Sequence, residues 1–264
     1  MASRIGVFDS GFGGLTVLRE LKKCLPEEDY LYFGDTAHLP YGAKSVRTVA
    51  KYAIASARFL EERGIELLVI ACNTATALSL EEIKASVRIP VIGVVEPGAE
   101  RAANKSKTRR AAVIATEATV ASHAYRRALE RLGLEATEKA CPLFVPLVEE
   151  GWVEHPVTEK VAHIYIDEIF CNGGAHPDVL LLGCTHYPLI RPLLRRVVPQ
   201  HIEIVDSAES TAAKVVAELG SPSNSGAPGQ LHCYATDSTE KFRRFGEKFL
   251  GCPITNIELV DIEH

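Results

Sequence analysis

The chain has 264 residues, 47% of them apolar and 24% charged, enough to bury a core in about two domains and too apolar for a disordered chain. Its formal net charge is −5, from 29 Lys+Arg against 34 Asp+Glu, so it lacks the basic excess of a general nucleic-acid or anionic-membrane binder. Clearly apolar runs reach only about seven residues, against the ~20 that span a bilayer, and no signal-peptide core is read, so a soluble cytoplasmic chain is expected.

Along the chain, short β-branched runs alternate with longer amphipathic stretches. The first strands are predicted at residues 5–8 and 30–34. A helix follows over 45–63, with apolar positions 46, 49, 50, 53, 54, 57 and 60 forming the stripe of a helix packed on a sheet. Gly64 supplies its stop. Further strands are predicted at 67–71, 91–93, 111–115, 179–183, 203–205 and 231–235. A second clear helix, over 158–170, begins after Pro156 and precedes a Gly-Gly pair at 173–174. The stretch 220–230, GSPSNSGAPGQ, reads as a solvated linker. Alternating strands and helices with nearly continuous apolar strands predict an α/β fold of doubly wound parallel sheets.

A weak internal repeat runs through this pattern. Residues 66–77 (ELLVIACNTATA) and 178–189 (DVLLLGCTHYPL) each place an acidic residue, an apolar strand and a cysteine in the same order. Residues 5–10 (IGVFDS) and 111–116 (AAVIAT) form a second parallel. Two half-similar units would face equivalent strand ends across a cleft. In open α/β sheets ligands bind at those carboxyl-terminal ends.

Seven cysteines occur, none in CxxC spacing, which argues against a disulfide framework or a structural zinc site. Most are expected to be inert buried thiols. Cys72 and Cys184 differ, because each follows an apolar strand and precedes a threonine within two residues. One such cysteine is more often a small hydrophobe closing a strand; two in matched contexts point to reactive thiols. His186 lies two residues past Cys184 and Asp9 ends the first strand, so each is a candidate partner for a thiol. The loop Asp9–Gly14, DSGFGG, lacks the third glycine of a dinucleotide fingerprint, since position 16 is Thr. It still allows close backbone approach, and the helix after it can hold a carboxylate. Short polar side chains gather at other strand ends: Asp35, Thr36, Asn73, Thr74, Thr76, Thr116, Thr119 and Thr185, with Pro40-Tyr41-Gly42 nearby. Singly each is a cap or turn residue; together they suit a small polar anion. The nine histidines show no metal-ligand spacing, and no lysine lies in these motifs to form a Schiff base.

Six segments, GVFDSGFGGLTVLREL (6–21), YFGDTAHLPYG (32–42), ACNTATA (71–77), VIGVVEPGA (91–99), ATEATVAS (115–122) and GCTHYPL (183–189), resemble bacterial glutamate racemases of the aspartate/glutamate racemase family. They span about 180 residues in the expected order. Aspartate racemases share CNTA but lack THYPL, and arylmalonate decarboxylases keep one of the two cysteines. One departure is Ala118, where the family usually has Gly.

The resemblance implies a cofactor-independent, two-base interconversion of L- and D-glutamate that supplies D-glutamate for peptidoglycan. It implies that Cys72 takes the proton from D-glutamate and Cys184 from L-glutamate, with Asp9 and His186 assisting. Glu149, in PLVEEG, matches a family glutamate near the site; by its sequence alone it reads equally as a solvated helix charge. Ser10, Pro40, Tyr41, Gly42, Asn73, Thr74, Thr116, Thr119 and Thr185 are expected around the substrate, with Asn73 and the threonines on its carboxylates. Two domains are expected, 1–93 plus 208–264 and 94–207, and dimers are common in the family. Three alternatives stay open: a racemase for another acid, a hydrolase using Cys184 and His186 with Cys72 dispensable, and a non-catalytic binder of acidic ligands.

Overall fold

The computed structural model describes residues 3–170, 176–220 and 226–262. From the N-terminus come β1 (Arg4–Asp9), α1 (Leu15–Cys24), β2 (Asp29–Gly34), α2 (Val46–Glu61), β3 (Leu67–Ile70), α3 (Asn73–Ser86) and β4 (Val91–Gly93). The chain continues through α4 (Val95–Lys105), β5 (Arg110–Ala115), α5 (Glu117–Ser122), α6 (Ala124–Arg131) and β6 (Glu135–Ala140). Then follow α7 (Phe144–Glu149), α8 (Pro156–Phe170), β7 (Val179–Gly183), α9 (Arg191–Val197) and β8 (Glu203–Asp206). The last elements are α10 (Ser207–Leu219), β9 (Leu231–Ala235), α11 (Thr239–Leu250) and β10 (Ile257–Leu259).

The strands form two parallel sheets, ordered β10-β9-β2-β1-β3-β4 and β6-β5-β7-β8. Without β9 and β10 the first order is β2-β1-β3-β4, the same topology as the second. The weak repeat is therefore structural: β1 corresponds to β5 and β3 to β7.

Both faces of each sheet are covered, which is why the strands read as apolar runs rather than as alternation. Successive side chains still divide between two cores. In β1, Ile5 and Val7 enter the core containing Leu18 and Tyr32, while Phe8 enters one with Phe33 and Ile70. In β7, Leu180 and Leu182 join that first core and Leu181 packs with Val113 and Tyr125. Each fully buried Leu, Ile or Phe stabilises the fold by roughly 1.5–3 kcal/mol.

The local signals act as expected at α2. Ser45 caps it, its hydroxyl accepting from the Thr48 amide at 3.3 Å, and Gly64 ends the turn beyond it at φ +76°. Two strands escape the sequence pattern. β6 (EATEKA) and β10 (IEL) are edge strands with partly exposed side chains, so neither needs an apolar run. The Gly173–Gly174 pair and residues 221–225 of the polar stretch lie outside the described residues. Of the six described cysteines, all free thiols, Cys24 and Cys252 are exposed, so burial holds for four. Among the described residues no helix is long and apolar enough to cross a membrane.

Candidate active site

The order of each sheet reverses at the same place, between β1 and β3 in the first and between β5 and β7 in the second. Loops leaving those strands diverge and open a crevice at their carboxyl ends. The two crevices face each other around a cavity of about 420 Å³, open mouth included. Ser10 follows β1, Cys72 follows β3, Thr116 follows β5 and Cys184 follows β7, and all four line it.

Cys72 is buried at the N-cap of α3, its sulfur accepting from the Ala75 amide at 3.4 Å. The thiol donates to the Ser10 hydroxyl at 3.5 Å. Burial, and next the Asp9 carboxylate, push this thiol up to about 12. The amide ends of α3 act against that rise by favouring negative charge at its first residues. Asp9 is itself buried; its Oδ2 accepts from the Gly11 amide at 3.0 Å, whereas Oδ1 has no hydrogen-bond partner. Burial raises the Asp9 carboxyl above 3.8, outweighing the His186 charge and the nearby backbone amides. Asp9 thus stands behind Cys72, not on the cavity wall.

Cys184 has a different environment. Its sulfur is 4.0 Å from His186 Nδ1, and His186 Nε2 is 3.2 Å from Glu149 Oε1. Burial pulls the imidazole down, but hydrogen bonds and charge from Cys184 and Glu149 outweigh it and push His186 up to about 10. A cationic imidazole therefore lies beside the sulfur, oriented by a carboxylate on its far nitrogen. Glu149, at the end of α7, lines the cavity beside His186 and is partly exposed.

Three threonine hydroxyls form a triangle on one wall: Thr74–Thr116 at 3.0 Å, Thr74–Thr119 at 3.2 Å and Thr116–Thr119 at 2.9 Å. They join the start of α3 to α5, and hence the two sheets. Thr119 lies behind the lining. Ala118, beside it on α5, leaves Thr119 fully buried and bonded to both partners. Asn73 Nδ2 donates to the Tyr125 hydroxyl at 2.7 Å, and Asn73 Oδ1 is buried without a partner.

Pro40, Tyr41 and Gly42 form another wall. The Tyr41 hydroxyl does not serve the cavity, because it donates to buried Asp35 at 2.6 Å. Asp35 also accepts from Thr236 at 2.9 Å and contacts His38 Nδ1 at 2.8 Å, tying this wall to the returning strand β9. Glycine is needed at 42, where a Cβ would stand 2.8 Å from that of Thr116. It is needed likewise at 13, where a Cβ would stand 2.6 Å from His186 Nδ1.

Of the residues expected around a ligand, Ser10, Pro40, Tyr41, Gly42, Asn73, Thr74, Thr116 and Thr185 line the cavity. So do Cys72, Cys184, His186 and Glu149, while Asp9 and Thr119 support it from behind. Gly11, already read as part of a loop that allows close approach, also lines it, as do Phe12, Leu39 and Val145, which carried no chemical signal of their own. Leu39 and Phe12 were findable only as neighbours inside the HLPYG and DSGFGG motifs, and Val145 only by its one-turn spacing from Glu149. Among the described residues no group of three or more His, Cys, Asp or Glu side chains is placed to hold a metal ion.

Residues 5–215 match the family of Asp/Glu/hydantoin racemases. The chain is 56% identical to a glutamate racemase of Koribacter versatilis, over 98% of this chain and 97% of that one. A glutamate racemase of Thermus thermophilus, solved in complex with β-chloro-D-alanine, superposes with a TM-score of 0.86 at 40% identity, covering 98% of this chain and 96% of that one. One from Francisella tularensis in complex with D-glutamate gives 0.90 at 34%, covering 98% and 97%. With matched sheets, paired cysteines and this agreement over nearly its full length, the chain belongs to the glutamate racemases of the Asp/Glu/hydantoin racemase family, enzymes of the amino-acid racemase class.

Proposed function

We propose that this enzyme interconverts L- and D-glutamate by two-base proton transfer between Cys72 and Cys184, without a cofactor. The observation that carries this reading is that two cysteines, on corresponding strand ends of two matched sheets, enter one cavity. Inverting a stereocentre by proton transfer needs a base on one face of Cα and an acid on the other. From D-glutamate, the Cys72 thiolate takes the Cα proton and the Cys184 thiol delivers its own to the opposite face. Cα–H breaks on one side as a new Cα–H forms on the other, leaving Cys72 as thiol and Cys184 as thiolate. L-glutamate reverses the roles.

The two sides reset differently. Asp9, raised by burial, exchanges a proton on the Cys72 side. On the other side the His186 imidazolium, held by Glu149, balances charge on the Cys184 sulfur. A Cα proton beside a carboxylate is a very weak acid, so preorganised donors must meet the developing charge. The threonine triangle and the amide ends of α3 supply them. Asn73 Oδ1 is an acceptor and suits a donor such as the substrate ammonium, so carboxylate binding falls to the threonines and backbone amides.

The bodies 1–93 with 208–264 and 94–207 are proposed to close around the substrate, excluding water from both sulfurs. The D-glutamate formed is proposed to feed peptidoglycan synthesis, which complementation of a D-glutamate auxotroph tests. For the chemistry, L-glutamate is incubated with enzyme in deuterated water and followed by circular dichroism and mass spectrometry. Loss of optical activity with deuterium at Cα is expected, and Cys72→Ser or Cys184→Ser should abolish it. Full racemisation by either variant refutes the two-base assignment, and a trapped acyl-enzyme would instead favour a hydrolase.

A further inference from the structure

Tyr125 has no part in the chemistry described above, yet it touches both cysteine-bearing strand ends. It is fully buried on α6. Its hydroxyl accepts from Asn73 Nδ2 at 2.7 Å, and Asn73 is the residue after Cys72. Asn73 Nδ2 also lies 3.5 Å from the Ser207 hydroxyl, where α10 begins. On the other side, a Cβ at Gly183 would stand 2.9 Å from Tyr125 Cε2, and Gly183 is the residue before Cys184. Glycine at the end of β7 is thus the space into which the ring packs. A Cβ at Gly98 on α4 would meet the ring edge at 3.5 Å, so the ring is held from a third direction. Burial drives the phenol upward, and it stays a neutral hydroxyl.

We propose that Tyr125 is a positioning residue of the racemisation site, its hydroxyl fixing the Asn73 amide beside Cys72 while its ring seats against Gly183 beside Cys184. A side chain from the second sheet's half thereby sets both the end of Asn73 that stays free and the seating of the start of α3. The proposal rests on the two-cysteine reading for its effect on turnover, and on geometry alone for the anchoring of Asn73.

The test uses Tyr125→Phe, which keeps the ring and removes only the hydroxyl, with Asn73→Ala and the double variant. Kinetics with both enantiomers are measured beside the side-chain amide NMR signal of Asn73, assigned by its loss in Asn73→Ala. Tyr125→Phe should lower kcat/KM about tenfold in both directions, chiefly through KM, the size of one lost hydrogen bond. That loss should vanish in the Asn73→Ala background, because residues acting through one another are not additive. The Asn73 amide signal should shift in Tyr125→Phe, while the variant still unfolds in one transition at a melting temperature lowered by a few degrees. Wild-type kinetics in Tyr125→Phe, a loss that adds to that of Asn73→Ala, or an unmoved amide signal would each overturn the proposal. If the wild-type enzyme leaves glutamate unchanged, the two-cysteine reading fails, and the amide signal alone still decides whether Tyr125 anchors Asn73.

Discussion

His186 and Asp9 both lie within the site and are both raised, through opposite physics. His186 is raised because hydrogen bonds and negative charge from the Cys184 sulfur and the Glu149 carboxylate outweigh burial; Asp9 is raised because burial leaves its charge poorly solvated. Replacing His186 by Asn should lower kcat about 10²–10⁴-fold, the usual worth of a positioned acid–base group, measured by circular dichroism with each enantiomer. Since the folded value near 10 exceeds the ordinary 6.5, the protonated contacts stabilise the fold fully below pH 6.5 and are lost as pH rises through 10. The urea midpoint of the wild type should therefore exceed that of His186→Asn most at pH 6 and converge on it by pH 10; a constant gap would contradict this. Asp9 also has a raised folded value, so its contribution is complete below 3.8 and falls as the carboxyl ionises. Asp9→Asn should accordingly be no less stable than wild type at pH 8 while losing racemisation, which denaturation and kinetics read separately.

At the scale of elements, the loop between β1 and α1 is shaped by what it must pass. Gly13 lies against Thr185 and His186 of the other half, and a methyl there would press on the imidazole. Gly13→Ala should cut kcat at least tenfold by displacing His186 from Cys184, a misplacement of the kind that costs about 10²-fold at 1 Å. Ser45→Ala provides the contrast. Its hydroxyl caps α2 and does not line the cavity, so the loss should be about 1 kcal/mol of stability with kcat unchanged. A fall in kcat for Ser45→Ala would mean that α2 is coupled to the site.

For the whole molecule, the cavity lies where the two sheets meet, and close polar contacts cross there beside aromatic packing of His186 on Phe12 and Phe249. The threonine triangle and the Asn73–Tyr125 bond cross from one half to the other. A ligand that completes this seam stabilises both halves together. D-glutamate at about 100 times its Kd should raise the unfolding free energy by about 2.7 kcal/mol in a single transition. Gly42→Ala should weaken that gain, since its methyl would push on Thr116 across the seam. Two separated transitions with only one shifted by ligand would show that the substrate contacts one half alone.

Much of this was readable along the chain. Eight strands and the helix after Ser45 follow from apolar runs and caps, which are local properties of the backbone and its nearest neighbours. The edge strands β6 and β10 were not readable, because an edge exposed to solvent does not require apolar residues. The matched cysteines marked the cavity because thiols after buried strands are uncommon in pairs, and the repeat placed them on equivalent ends. Roles that depend on distance were decided only in three dimensions. Asp9 and Thr119 fell behind the wall, the Tyr41 hydroxyl went to Asp35, and Glu149 came to His186 from 37 residues away. Tyr125 gave no signal in its own segment, which carries none of the motifs. Sequence pattern determines which residues are buried and which strand ends carry reactive groups; tertiary packing alone determines which of those groups meet, because the bonds that orient them join residues distant in the chain.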